Sequence, residues 1–65
     1  MPSTAIRSFH YDAAKSTLQV TFISGMTYDY KNVPEEVYQA MKSASSKGAY
    51  LNQYIKNHYR YIKVT

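Results

Sequence analysis

Residues 25–34 read Gly25-Met26-Thr27-Tyr28-Asp29-Tyr30-Lys31-Asn32-Val33-Pro34. Strand side chains alternate, so an extended Met26 to Lys31 sends Tyr28 and Tyr30 to one face and Thr27, Asp29 and Lys31 to the other. Gly25 supplies the positive φ that a tight hairpin turn needs. Pro34 suits a first helical turn, where no amide hydrogen is required. Apolar residues before this stretch recur with period two, and those after it recur at helical spacing. The stretch is therefore read as the last strand of a small sheet and the start of a helical half.

Upstream, the Leu18, Val20 and Phe22 triplet alternates with Thr17, Gln19 and Thr21, the pattern of an antiparallel strand with one solvated face. A preceding strand is predicted from Ala5 to Tyr11. Phe9 and Tyr11 share one parity and Ile6 the other, so either Ile6 faces outward or a bulge shifts the register between them. Asp12 to Ser16 forms the connecting turn, with Asp12 placed to accept a bond from following backbone. Ser24-Gly25 makes the second turn, and residues 1–3 are expected to be loose.

Downstream, Glu35 and Glu36 complement the positive end of a helix dipole. Asn32 is the preferred cap, with Val33 as an alternative boundary. Val33, Val37, Ala40, Met41 and Ala44 make an apolar stripe ending near Ser43 to Ser45. Ser46 caps a second helix from about Lys47 to Tyr59, with Leu51, Tyr54, Ile55 and His58 facing inward. Tyr61 to Thr65 is either a continuation of that helix or an extended tail along the surface. The fold class is α+β: a three-stranded antiparallel β-meander followed by two α-helices packed on one face.

The chain has 65 residues, no cysteine, no tryptophan, two phenylalanines and eight tyrosines. One domain over residues 1–65 is expected, ordered from about residue 3 to residue 60. That size is near the lower limit for an unassisted apolar core. Tyrosines, with an apolar body and a polar tip, suit half-buried positions and contact surfaces. No disulfide or thiolate site can form. No apolar run reaches the roughly 20 residues of a spanning helix, and the first residues lack the pattern of a signal peptide. A small cytoplasmic protein, not in a membrane and monomeric, is expected.

Charge is split along the chain. Through Glu36 the net is −1, whereas from Val37 onward five cations and no acid give +5. A basic half of this kind points to polyanions.

The ordered set Ser3, Ile6, Tyr11-Asp12, Leu18-x-Val20-x-Phe22, Gly25-x-x-Tyr28-x-Tyr30-x-x-Val33-Pro34, continued by Ala44-x-Ser46-x-Gly48-x-Tyr50-Leu51-Asn52-x-x-Ile55-Lys56-x-x-Tyr59, resembles the KTSC domain family. The resemblance spans roughly residues 3 to 60. That family is named after the C-terminus of certain lysyl-tRNA synthetases, and many members are free-standing bacterial or phage proteins of similar length. Leu51 stands where an aromatic is common. Lys56 stands where arginine is usual, which removes bidentate recognition at that position. The resemblance implies the α+β fold, and through the synthetase context it suggests RNA. As motif residues it marks Tyr28, Tyr30, Ser46, Gly48, Asn52 and Tyr59.

No nucleophile elbow, P-loop, zinc helix or carboxylate pair is present, so no enzyme activity, cofactor or metal is expected. His10 and His58 are far apart in sequence and lack the companions of a metal site; His58 is expected to be a partly buried structural residue. Tyr28 and Tyr30 could stack on bases but are read as core, and Ser46 with Gly48 as an ordinary cap. The expected function is a binding module for RNA or another polyanion. Its predicted contacts are Lys47, Lys56, Arg60, Lys63, Tyr50 and Tyr54, with Lys56, Arg60 and Lys63 on one side of a continuing helix. The alternative is a protein-interaction module using a tyrosine-rich surface or an edge strand.

Overall fold

The computed structural model describes residues 6–64. The expectations for residues 1–3 and for a strand starting at Ala5 lie outside the described residues, as does Thr65. Strands β1 (Ile6–Asp12), β2 (Thr17–Phe22) and β3 (Thr27–Tyr30) form the expected antiparallel meander. The register of β1 on β2 shifts between Ile6 and Ser8, so a bulge is present. Ile6 thereby joins Phe9 and Tyr11 against the core, although its parity in sequence is opposite.

The turns follow local chemistry. Asp12 Oδ1 accepts from the Ala14 N–H at 3.1 Å, and Gly25 takes φ +98°. Two non-glycine residues also occupy the left-handed region, Ser16 (φ 51°) and Asn32 (φ 57°). The Val33 N–H donates to the Ser16 carbonyl at 2.8 Å, tying these two turns together.

Asn32 therefore does not cap the first helix. Helix α1 (Glu35–Ser43) begins after an extended Pro34, whose side chain makes no capping bond. Glu35 and Glu36 fill the first turn as the dipole favours. Val33 is fully buried but lies in the extended segment ahead of the helix. The predicted stripe is also corrected: Ala40 is exposed, and Tyr38 packs inward instead. Tyr38 stacks on Tyr11 at 4.8 Å and 10°, and meets Phe9 edge-on at 6.0 Å. A ring removes more apolar surface from water than a methyl does, so the helix settles with Tyr38 against the sheet.

Helix α2 (Lys47–Tyr50) starts at Ser46, whose Oγ accepts the Ala49 N–H at 3.3 Å. The helix runs on as a π-helical turn over Leu51–Ile55, with the Lys56 N–H bonded to the Leu51 carbonyl five residues back. It ends well short of the expected Tyr59. In the wider π turn each residue advances through a smaller angle, so positions four apart superpose better than positions three apart. Leu51 and Ile55 are accordingly fully buried, whereas Tyr54 is 51% exposed and His58 is exposed, correcting both inward assignments.

The tail is the extended alternative and not a helical continuation, and it is paired. Tyr61–Lys63 is a fourth strand, β4, antiparallel to β3, giving the sheet order β1-β2-β3-β4. The core is one cluster of Leu18, Val20, Tyr30, Val33, Met41, Leu51 and Ile55, contributed by the sheet, the Val33 segment and both helices. Each buried aliphatic side chain there contributes roughly 1.5–3 kcal/mol. Phe22 lies at the margin of this cluster, half-buried.

Candidate nucleic-acid interface

The two faces of the sheet differ in chemistry. Register places Phe9, Tyr11, Leu18, Val20, Tyr28, Tyr30, Tyr61 and Lys63 on the helix side. His10, Asp12, Thr17, Gln19, Thr21, Asp29 and Ile62 fall on the open side. The open side holds no phenyl or phenol ring in these strands, only the His10 imidazole. Its hydroxyls and amide are paired laterally, with Thr21 to Thr27 at 3.1 Å and Gln19 Nε2 donating to Asp29 Oδ1 at 3.0 Å. A shallow depression of about 210 Å³ there is lined by His10, Asp12, Lys15, Thr17, Gln19, Asp29 and Lys31. Its acids and bases offset one another, and no group of three or more metal-ligating side chains occurs among the described residues.

The predicted contact residues do not form one surface. Lys47 is half-buried, and its ammonium donates to the Ala44 carbonyl at 3.4 Å, so it serves the junction of the two helices. Tyr50 is half-buried against the core and pairs with Tyr54 at 4.7 Å and 38°. The π turn thus presents one anchored ring and one exposed ring. Lys56 follows directly and is exposed, as is Asn52. Arg60 is exposed, and its carbonyl accepts the Lys31 N–H at 2.7 Å, so its backbone belongs to the β3–β4 ladder. Lys63 lies in β4 opposite Tyr28. The expectation that Lys56, Arg60 and Lys63 share one helix side fails because the chain leaves the helix before Arg60. By strand alternation, Arg60 and Lys63 project to opposite sides of the sheet.

Among the motif residues, Ser46 is the cap described above, and Gly48 is half-buried within α2. Tyr59 is half-buried against the core. Tyr30 is 2% exposed, and Tyr28 is half-buried beside it. Burial raises the Tyr30 phenol above its usual value, with the neighbouring phenols of Tyr28 and Tyr61 adding to the effect. In the sequence Tyr61 could be placed only as one of several tyrosines beside the basic second helix. It lies 5.4 Å from Tyr28 and 5.8 Å from Tyr30, and it is 54% exposed. Only the pairing of β4 brings it there.

These elements define a small α+β domain: four antiparallel strands, two short helices on one face, and an aromatic, basic C-terminal half. The KTSC domain model matches residues 2–59, and the chain belongs to the KTSC domain family, whose function is unknown. A KTSC domain protein from Yersinia pestis has a crystal structure that superposes with a TM-score of 0.86 at 34% identity, covering all of this chain and 94% of that one. An uncharacterized protein from Stutzerimonas stutzeri is 43% identical over 65 residues, 98% of this chain and 92% of the relative. A lysine–tRNA ligase from Nostoc punctiforme is 34% identical over 62 residues, 95% of this chain but 11% of the ligase. A second, from Trichormus variabilis, is 36% identical over 60 residues, again 11% of that enzyme. This chain thus spans about a tenth of the length of the ligases it resembles. No helix among the described residues is long and apolar enough to cross a membrane.

Proposed function

We propose that this domain is a non-enzymatic, monomeric, cytoplasmic binding module for RNA. The observation that carries the reading is the π turn, which displays the Tyr50–Tyr54 ring pair directly before the exposed Lys56. The half of the chain that holds them has five cations and no acid. Exposed rings beside cations suit unpaired bases and phosphates, because stacking tolerates any base and the cation follows the backbone. Local π turns are frequent at functional sites. The occurrence of similar domains within enzymes named for a tRNA supports the same reading. Lys56 is the phosphate contact beside the ring pair, Arg60 and Lys63 reach the RNA strand from opposite sides of the β4 edge, and Lys47 is peripheral because its ammonium is engaged at Ala44.

A titration of labelled single-stranded RNA at low salt tests this. Three to five neutralised phosphates give a log–log salt slope of about −2 to −3.5 on a single strand. The Lys56→Glu/Arg60→Glu double variant is expected to weaken binding for every sequence tried, since phosphate contacts position without specifying. Equal binding by parent and variant, or none by the parent at tens of micromolar, overturns the reading.

The free edge of β4 favours the alternative, a protein partner. Tyr61 and Lys63 direct their backbone groups away from β3, where an added strand could pair. Three residues with a lysine are also how folded proteins protect an edge, so this reading ranks second.

A further inference from the structure

We propose that Tyr61, braced by Tyr28 and Tyr30 and flanked by Lys63, is a stacking subsite for one unpaired base of a bound RNA strand, on the sheet and not on the helix. This rests on the RNA-binding reading above and gives it a second point of contact. The ladder bonds of β4 fall at Lys31–Arg60 and Thr27–Val64. The intervening pairs Tyr30–Tyr61 and Tyr28–Lys63 are therefore the non-hydrogen-bonded kind, in which facing side chains come closest.

Tyr61 meets Tyr28 at 70° and Tyr30 at 44°. Tyr28 is held in turn by Phe22, edge-on at 5.5 Å. One side of the Tyr61 ring is thus fixed by aromatic contacts, while 54% of the residue remains open to solvent. A ring already held in place loses little freedom when a base settles on it.

Charge selects the same ligand. The strand carboxylates Asp12 and Asp29 lie on the opposite, open face, so no strand acid opposes a phosphate beside Lys63. The open face carries only the small His10 imidazole in these strands, whereas the helix side carries the phenol rings, so the larger stacking surface of this sheet is on the helix side. A purely apolar partner would leave the Lys63 ammonium unmatched, which disfavours it against a base and its phosphate.

Fluorescein-labelled oligo-U and oligo-A octamers, titrated at low salt against parent, Tyr61→Phe and Tyr61→Leu, decide the matter. Tyr61→Phe keeps the ring and should bind within about twofold of the parent. Tyr61→Leu keeps apolar volume without the ring and should bind roughly 5- to 100-fold more weakly. Its salt slope should be unchanged because no phosphate contact is lost, whereas Lys56→Glu flattens the slope. Ring-proton resonances of Tyr61 in the parent should move upfield on addition of either octamer, and they give an answer even if the leucine variant does not fold. Parent-like binding by Tyr61→Leu with unmoved Tyr61 resonances overturns the subsite and leaves the RNA reading standing. No binding of either octamer by the parent overturns both.

Discussion

The phenolic O–H of Tyr11 donates to the backbone carbonyl of Val33 at 2.6 Å, joining the first strand to the segment that leads into α1. Val33 is fully buried, and its N–H is already bonded to the Ser16 carbonyl. The extended segment between sheet and helix is thus held by bonds from both of its backbone groups. The Tyr11 ring, stacked on Tyr38, is positioned to make its bond.

Tyr11→Phe keeps the stack and removes only the donor. A half-buried carbonyl left unpaired is expected to cost about 1–2 kcal/mol. In a domain this small, Tm should fall by roughly 4–8 °C per kcal/mol. Calorimetry on parent and variant checks this, and an unchanged Tm would show that water replaces the hydroxyl without penalty.

The π turn predicts an ordering of two substitutions. Leu51→Ala should cost about 2–5 kcal/mol, as large-to-small changes at fully buried sites do. Tyr54→Ala should cost only about 1 kcal/mol, the loss of its ring contact with Tyr50. Denaturant midpoints for both variants decide it. A larger loss at Tyr54 than at Leu51 would mean that the helix is α throughout and that Tyr54 faces inward, as its spacing alone suggests.

Tyr30 links stability to alkaline pH. Its phenol titrates above the unfolded value of 10.0, so at high pH the unfolded chain gives up this proton before the folded chain does. Where the native state binds more protons, stability falls as pH rises. The contribution from Tyr30 is therefore complete below pH 10 and is lost between the unfolded and the folded value. Tyr30→Phe removes that titration, so its stability should decline less than the parent's across that range. Identical declines in urea titrations at stepped pH would remove Tyr30 as the cause.

The meander and its turns were legible in the sequence because their causes are local. Leu18, Val20 and Phe22 alternate over one short strand, Asp12 bonds to backbone two residues on, and Gly25 takes its positive φ without a side-chain clash. Ser46 was legible as a cap for the same reason, since its partner is three residues away. Of the candidate site, the Tyr50, Tyr54 and Lys56 group could be named in advance, but its display to solvent could not. Leu51, Tyr54 and Ile55 read equally well as an inward stripe until the wider turn separates them.

What only the tertiary structure decided depends on residues distant in the chain. Three residues, Tyr61 to Lys63, are too few to show a strand's alternation, and their pairing with β3 closes a loop that contains both helices. A long-range ladder of this kind forms only after the intervening chain has packed, so no local signal announces it. The same applies to Tyr38 displacing Ala40: helical spacing admits either face, and the rings of Phe9 and Tyr11 on the sheet select the one that buries more surface. Composition determined that this chain is aromatic and that its second half is basic. The pairing of β4 with β3 determined which tyrosines meet and which face Lys63 shares with them.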